Sequence, residues 1–235
     1  MKIPVTIRYC SSTRFVVLAV LWLVVVSGES HSNDGQWTRQ NELPVSRQGL
    51  ESLLASLNTE NLSGLVGAIK AESGGQMINQ IHAMLLDSAP RPDKPTRDNR
   101  AQRTLRGAFM VFPRVTEPAI YGPVLKLYLD DSDTHIVYFA ARSLIEASPD
   151  SYCPVVSQFI ERDLNTLLPQ FDLGNKPLWR IMSLCGALVE SKVACPDRRA
   201  QVGNTVRRLR TMRWDKPEAG AYFLRVEDGF TRGTN

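Results

Sequence analysis

The stretch LDDSDTHIVYFAARSLIEASPD, residues 129–150, carries the clearest structural pattern in this chain. Asp130, Asp131 and Asp133 stand directly before a run whose apolar residues recur at helical spacing. Aspartate before a helix accepts hydrogen bonds from the free amides of the first turn and complements the helix dipole. Clustered carboxylates also suit calcium, but this spacing lacks the central glycine and the distal glutamate of an EF-hand loop. The stretch therefore favours a capping turn before a helix over a metal site.

Apolar residues recur at helical spacing on both sides of this stretch, without the sustained alternation that is typical of strands. The fold class that this pattern predicts is all-α. Glycines and prolines mark where one helix ends and the next begins. We predict helices over about 47–57, 60–72, 77–85, 98–112, 117–130, 133–148, 152–168, 177–191 and 196–213.

Two segments divide the chain into parts. APRPDKPTR, residues 89–97, has three prolines that lack an amide donor and bias their neighbours away from helix, which predicts a linker. It separates an N-terminal helical segment, residues 47–88, from the main helical part, residues 98–216. In the tail, residues 217–235, the sequence AYFLRVEDGF favours either a short strand or an extended segment packed on the last helix.

Parts of the main helical region align with one another. Ala108 falls on Ala141, and Cys153-Pro154 falls on Cys195-Pro196, with a period of about 31 to 44 residues and one helical hairpin per unit. DSDTHIVYFAARSL, residues 131–144, resembles the HEAT-like (armadillo-type) α-helical repeat family in its aspartate-rich turn, its Ala-Ala pair and its closing leucine. The resemblance implies a short α-solenoid of stacked hairpins with a concave surface for a protein or peptide partner. Val137 stands where the family tends to have arginine, so we expect the Asp-to-Arg contact between neighbouring repeats to be absent.

The first 30 residues have the order of a secretory signal peptide. Three basic residues precede the apolar run 15–26, and small residues follow it. A spanning helix needs about 20 apolar residues, so cleavage and export to a secreted or periplasmic location are expected. The alternative is an uncleaved membrane anchor formed by residues 15–26. Residues 31–46 are predicted to be a flexible N-terminus.

Cleavage changes the charge balance, because residues 1–28 hold three of the 28 basic residues and none of the 24 acidic ones. The mature chain is then close to neutral, which argues against a nucleic-acid partner. Membrane contact is expected only through an uncleaved anchor.

Three cysteines follow the signal segment. The best disulfide pair is Cys185 with Cys195, across a predicted helical hairpin, and the alternative is three buried free thiols, Cys153 included. The spacing has no Cys-x-x-Cys element of a zinc or redox site. His31, His82 and His135 do not lie at metal-ligand spacing, and no motif marks a nucleophile or a phosphate loop. We therefore predict no catalytic residue, metal ligand or cofactor, while an enzyme with a site dispersed in sequence stays an alternative.

Arginine is distributed unevenly along the chain. Arg97, Arg100, Arg103 and Arg106 recur every three residues and form our candidate partner-binding face. A second basic cluster spans residues 198–216. Such faces suit an acidic partner, an anionic polymer or anionic lipid, and the alternative is a solvated face paired with acids elsewhere. Together these patterns predict an exported, non-catalytic helical repeat protein that acts as an interaction scaffold; the alternatives are a helical enzyme and a binder of anionic polymers or membranes.

Overall fold

The computed structural model describes residues 46–91, 97–191, 195 and 197–232, with side chains as far as Gly229. Over these ranges α-helix dominates and strands do not occur, so the all-α prediction is confirmed there. The predicted signal peptide, nearly all of the predicted flexible N-terminus and residues 92–96 of the linker lie outside the described residues. Among the described helices, none combines the length and the apolar character that a membrane crossing requires.

The helices follow the predicted order closely. They are α1 Arg47–Ala55, α2 Leu62–Ala71, α3 Gln76–Ser88, α4 Asn99–Val115, α5 Pro118–Leu127, α6 Thr134–Ala147, α7 Pro149–Thr166, α8 Lys176–Glu190, α9 Arg198–Thr211 and α10 Glu218–Arg232, with a 3-10 turn at Tyr128–Asp130.

Helix α10 occupies the tail, so neither the strand nor the extended segment predicted there is correct. Ala219 and Phe223 are fully buried at a spacing of four, and Tyr222 and Val226 are packed against the same core. This apolar stripe stabilises a helix on the flank of α9.

The aspartates and asparagines before the helices act as caps. The Asp133 carboxylate accepts a hydrogen bond from the backbone N–H of His135 at 3.0 Å, and Asp98 accepts one from Ala101 at 2.7 Å. Asn175 does the same for Leu178 at the start of α8. The capping interpretation of the opening stretch is thus confirmed at Asp133, and each such cap stabilises its helix by about 1 kcal/mol.

Alternate helices of the main region pack in series. Helix α4 packs on α6 and α6 packs on α8, while α1 covers the other flank of α4. Side-chain contacts join Gln102 to Asp133, Arg106 to Phe139 and Arg114 to Glu146. Since the residue numbers rise together on both sides, α4 and α6 run in the same direction. Val137 is fully buried in this packing, which explains an aliphatic residue at that position.

A disulfide joins α7 to the segment before α9. Cys153 bonds to Cys195 with 5.8 Å between their Cα atoms, so the predicted Cys185–Cys195 pair and the alternative of three free thiols are both wrong. Cys185 is free and completely buried on the inward stripe of α8, together with Ile181, Leu184 and Leu188. It faces the core, and burial raises the pKa of its thiol to about 12.

The C-terminal end is organised around one aromatic side chain. The ring of Phe171, in the loop between α7 and α8, lies 5.5 to 6.1 Å from the rings of Trp179, Trp214, Tyr222 and Phe223. The Phe171 backbone N–H also donates to Asp215 at 2.7 Å. These contacts fasten the loop to α8 and α10.

Helices α1 and α4 approach so closely that only glycine fits at position 107. A Cβ atom added to Gly107 would lie 2.1 Å from the carbonyl oxygen of Leu54 and 2.8 Å from its carbonyl carbon. Because the obstacle is backbone, α1 must shift to accommodate any side chain. The Gly107→Ala variant is therefore expected to lose about 1–3 kcal/mol of unfolding free energy in urea denaturation followed by circular dichroism.

Gly203→Ala is the matched control for that change. Gly203 also lies inside a helix, and a Cβ there would have nothing within 4 Å. Alanine should stabilise this position by about 0.5–1 kcal/mol through helix propensity alone. Equal effects of the two substitutions would contradict the close contact of α1 and α4.

Candidate functional site

The four predicted arginines do not share one exposed face, because Arg97 points inward. Its side chain is 15% exposed and pairs at 2.7 Å with the carboxylate of Asp131, which is only 1% exposed. A second guanidinium nitrogen of Arg97 donates to the carbonyl of Ser88 at 2.8 Å. Arg97 therefore ties the end of α3 to the turn before α6.

This ion pair is a different contact from the Asp-to-Arg contact between neighbouring repeats that valine at position 137 predicts to be absent. Asp131 takes its arginine from the segment before α4, and not from its own helix. A parallel pair joins the buried carboxylate of Asp163 in α7 to Arg180 in α8, and Asp130 pairs with Arg162 at 2.6 Å. Asp130 and Asp131 thus form ion pairs with residues of other segments, whereas Asp133 caps its own helix.

Arg100 lines a cleft of about 650 Å³ between α1, α3 and α4. It donates to the hydroxyl of Ser52 at 2.9 Å. Arg47 bridges Glu51 and Asp87, two of the carboxylates that line this cleft, at 3.1 and 2.8 Å. Carboxylates and guanidinium groups therefore compensate one another around the cleft.

Arg103 and Arg106 are exposed on the outer side of α4. The guanidinium carbon of Arg106 lies 4.6 Å from the centre of the Phe139 ring on α6, which is cation–π geometry. Within the described ranges, neither arginine forms an ion pair with a carboxylate. On the outer side of α4, these two residues carry positive charge that no neighbouring carboxylate pairs with.

A polar network continues this surface onto α6 and α8. The phenol of Tyr138 donates to Glu190 and accepts from Arg142 at 3.1 Å. Arg142 in turn donates to Glu146 at 2.8 Å. Burial, together with the hydrogen bond to Glu190, raises the pKa of Tyr138 to about 12, so the phenol keeps its proton at neutral pH.

Helix α8 approaches this network through a glycine. A Cβ on Gly186 would touch the Tyr138 ring at 3.6 Å, which is ordinary contact. We call this surface the α4–α6–α8 face. It is defined by Arg103, Arg106, Arg114, Tyr138, Phe139, Arg142, Glu146, Gly186 and Glu190. The arrangement offers ion pairing, hydrogen bonding and aromatic contact.

The aromatic and acidic members of this face were not predicted from the sequence. Phe139, Arg142 and Glu146 recur at spacings of three and four on the outward side of α6, and this periodicity was the available signal. Which of them would meet Arg106 or Arg114 depends on the register of α4 against α6, and a single helical stripe does not specify that register.

Most arginines of the second basic cluster form an ion pair or a hydrogen bond with another residue. Arg208 pairs with Glu161 at 2.6 Å, and Arg210 pairs with Glu227 at 2.9 Å. Arg198 donates to the carbonyl of Ser191. Pairing with acids elsewhere, the alternative raised by the sequence, describes these arginines well.

His135 is joined to the cap of α6 and should make stability depend on pH. Its pKa is raised by its side-chain interaction with Asp133, 3.6 Å away. Burial favours a higher pKa for Asp133, but hydrogen bonds from His135 outweigh it and lower that pKa. The protonated histidine therefore stabilises the fold fully below its unfolded pKa, and the contribution is lost as pH rises through the higher folded value.

We accordingly expect His135→Gln to be less stable than wild type at pH 5.5 and equally stable at pH 8.5. The difference should stay below about 1 kcal/mol, because the imidazole is 58% exposed. Urea titrations at both pH values measure it. A deficit of the same size at both would show that the charge of His135 has no part in it.

No protein-family model matches this chain, and no curated protein or solved structure matches it. The HEAT-like family suggested by residues 131–144 therefore stays a prediction. A function for the chain has to be inferred from the contacts within its described helices.

Proposed function

We propose that this chain is a non-catalytic α-helical repeat protein whose α4–α6–α8 face holds a protein or peptide partner. The observation that carries the proposal is the register of contacts between successive hairpins. Gln102 contacts Asp133 at a separation of 31 residues, and Ser157 contacts Gln201 at a separation of 44. These two separations fall within the period of about 31 to 44 residues in the sequence, whereas the Tyr138–Glu190 contact between α6 and α8 spans 52 residues.

In this proposal the repeating units are the hairpins α4–α5, α6–α7 and α8–α9. Helices α4, α6 and α8 form one layer, and α5, α7 and α9 form the other. Contacts of Tyr152 with Pro118 and of Cys153 with Cys195 are consistent with the second layer. A stack of this kind shares one core and presents a long surface along each layer, which is how α-solenoids bind partners.

The composition of the α4–α6–α8 face supports a protein partner. Interfaces are enriched in arginine and aromatic residues, and hot spots are enriched in tyrosine and arginine. The face has two such groups. Arg106 lies over the Phe139 ring, and Tyr138 forms hydrogen bonds with both Arg142 and Glu190. Gly186 lets the Tyr138 ring lie close to α8, because a Cβ there would already be in contact with the ring at 3.6 Å.

We further propose that the chain is exported through residues 1–30, or anchored by residues 15–26. The Cys153–Cys195 disulfide supports this proposal, because disulfides form and persist in oxidising compartments. The engaged arginines of α9 weigh against the alternative of a general binder of anionic polymers or membranes.

The test is to block the face where α6 and α8 meet. Gly186→Arg adds a long side chain to the middle of the face, while Gly186→Ala adds only a methyl group at normal contact distance. Tagged chains are cross-linked in the cells that make them, and captured partners are then purified and titrated by calorimetry. We expect wild type and Gly186→Ala to bind alike, and Gly186→Arg to bind at least about tenfold more weakly.

Circular dichroism must show that all three proteins fold alike. Equal affinity of the three for every captured partner would exclude this face as the binding surface. Recovery of no partner that binds the purified wild type would overturn the proposed function itself.

A further inference from the structure

The charged side chains of α4 are all basic. This helix of 17 residues carries four arginines and no acidic residue. Arg103 and Arg106 lie one turn apart, about 4.5 Å along the axis, and both are exposed. In the part of the chain that the structure describes, no carboxylate neutralises either one.

The two guanidinium groups are carried by a rigid element. On one flank of α4, Gln102 donates to Asp133 at 2.7 Å, and on the other the hydroxyl of Thr104 donates to the backbone of Glu51 at 3.3 Å. The Phe139 ring restrains the guanidinium of Arg106. Ordering the Arg106 side chain for binding therefore costs less conformational entropy than ordering a free surface arginine.

On the α4–α6–α8 face, the unpaired positive charge lies on this turn. Farther along the face, Arg142 and Arg114 lie beside Glu146 at 2.8 and 3.8 Å. Anionic membranes are bound by clusters of about four to eight basic residues, and polyanions by long rows of contacts. Two arginines beside an aromatic ring instead match two neighbouring carboxylates followed by an apolar side chain.

We infer that Arg103, Arg106 and Phe139 form a docking site for an acidic segment of a protein partner. Each guanidinium pairs with one carboxylate of the segment, and the adjoining apolar side chain packs on Phe139. This inference rests on the proposed function, because it names the kind of partner that the α4–α6–α8 face accepts.

The test uses two fluorescein-labelled peptides, GEEFG and its matched amide form GQQFG, with fluorescence anisotropy at about 50 mM salt. The full wild-type chain is expected to bind GEEFG about tenfold more tightly than GQQFG. The double variant Arg103→Gln/Arg106→Gln should lose that preference. Arg199→Gln/Arg213→Gln removes the same charge from exposed arginines elsewhere and should keep the preference.

The inference is overturned if wild type does not distinguish the two peptides, or if both double variants behave alike. Tighter binding of heparin or phosphatidylserine vesicles that depends on Arg103 and Arg106 would also overturn it, because the ligand would then be a different class of molecule. If partners are lost with Gly186→Arg but retained with Arg103→Gln/Arg106→Gln, the result supports the proposed function and excludes only the acidic docking site.

Discussion

Replacing Arg97 with alanine is expected to lower the free energy of unfolding by about 3–5 kcal/mol. The change leaves the buried carboxylate of Asp131 without its cation, and only the backbone N–H of Asp133, at 2.9 Å, still hydrogen-bonds to it among the described partners. It also removes the donor to Ser88 that ties α3 to this turn. Urea denaturation of the two proteins measures this difference, and the unfolding free energy should fall with urea concentration at the same slope in both.

Two comparisons test the cause of this loss. Arg47→Ala breaks pairs of an arginine that is 54% exposed, and it should change stability by no more than about 1 kcal/mol. Adding Asp131→Asn to Arg97→Ala removes the stranded charge, so the double variant should be more stable than Arg97→Ala alone. A double variant that is no more stable would show that burial of the charge is not the source of the effect.

Loss of the Cys153–Cys195 disulfide is expected to lower the unfolding free energy by about 4 kcal/mol. The bond joins residues 42 positions apart, and closing a loop of that length restricts the unfolded chain strongly. The variant Cys153→Ser/Cys195→Ser should match the reduced wild type in urea denaturation. The bond also fixes α7 to the start of α9, so its loss should act mainly on the second layer of the proposed stack.

Cys185→Ala is the matched control, because it removes the free cysteine of the described ranges and leaves the disulfide intact. Reductant should still destabilise this variant by the same amount as wild type. Peptide mapping by mass spectrometry should recover Cys153 linked to Cys195 in both. A Cys185 peptide in the linked fraction, or stability that does not respond to reductant, would contradict the Cys153–Cys195 pairing.

Local patterns predicted the helices well because each helix buries a stripe of its own apolar residues. Pairings were harder to predict. Cys185 and Cys195 are close in sequence, but Cys185 belongs to the inward stripe of α8, whereas Cys195 lies beside α7. Arg97 continues the three-residue spacing of Arg100 and Arg103. Its side chain nevertheless points inward, because it pairs with the buried carboxylate of Asp131.

In the candidate site as well, residues on one helix were predictable and contacts between helices were not. Arg103 and Arg106 were identified from the spacing of arginines on one helix, and they are exposed as that spacing indicates. Phe139 was not identified, because its contact with Arg106 depends on how α4 and α6 are aligned. The tail was predicted to be a short strand or an extended segment, whereas its apolar residues recur at spacings of three and four and form helix α10.

The aromatic cluster around Phe171 makes Trp179 and Trp214, two of the protein's four tryptophans, local optical reporters. Trp179 and Trp214 both contact Phe171, so their emission follows the environment of the α8–α10 end, whereas far-ultraviolet circular dichroism averages over every helix. Chains built from stacked repeats can unfold from one end, and single cooperative domains do not. In a chain whose other two tryptophans, Trp22 and Trp37, are replaced by phenylalanine, coincidence or separation of the two signals during denaturation would therefore reveal whether the α1–α4 end and the α8–α10 end unfold as one unit.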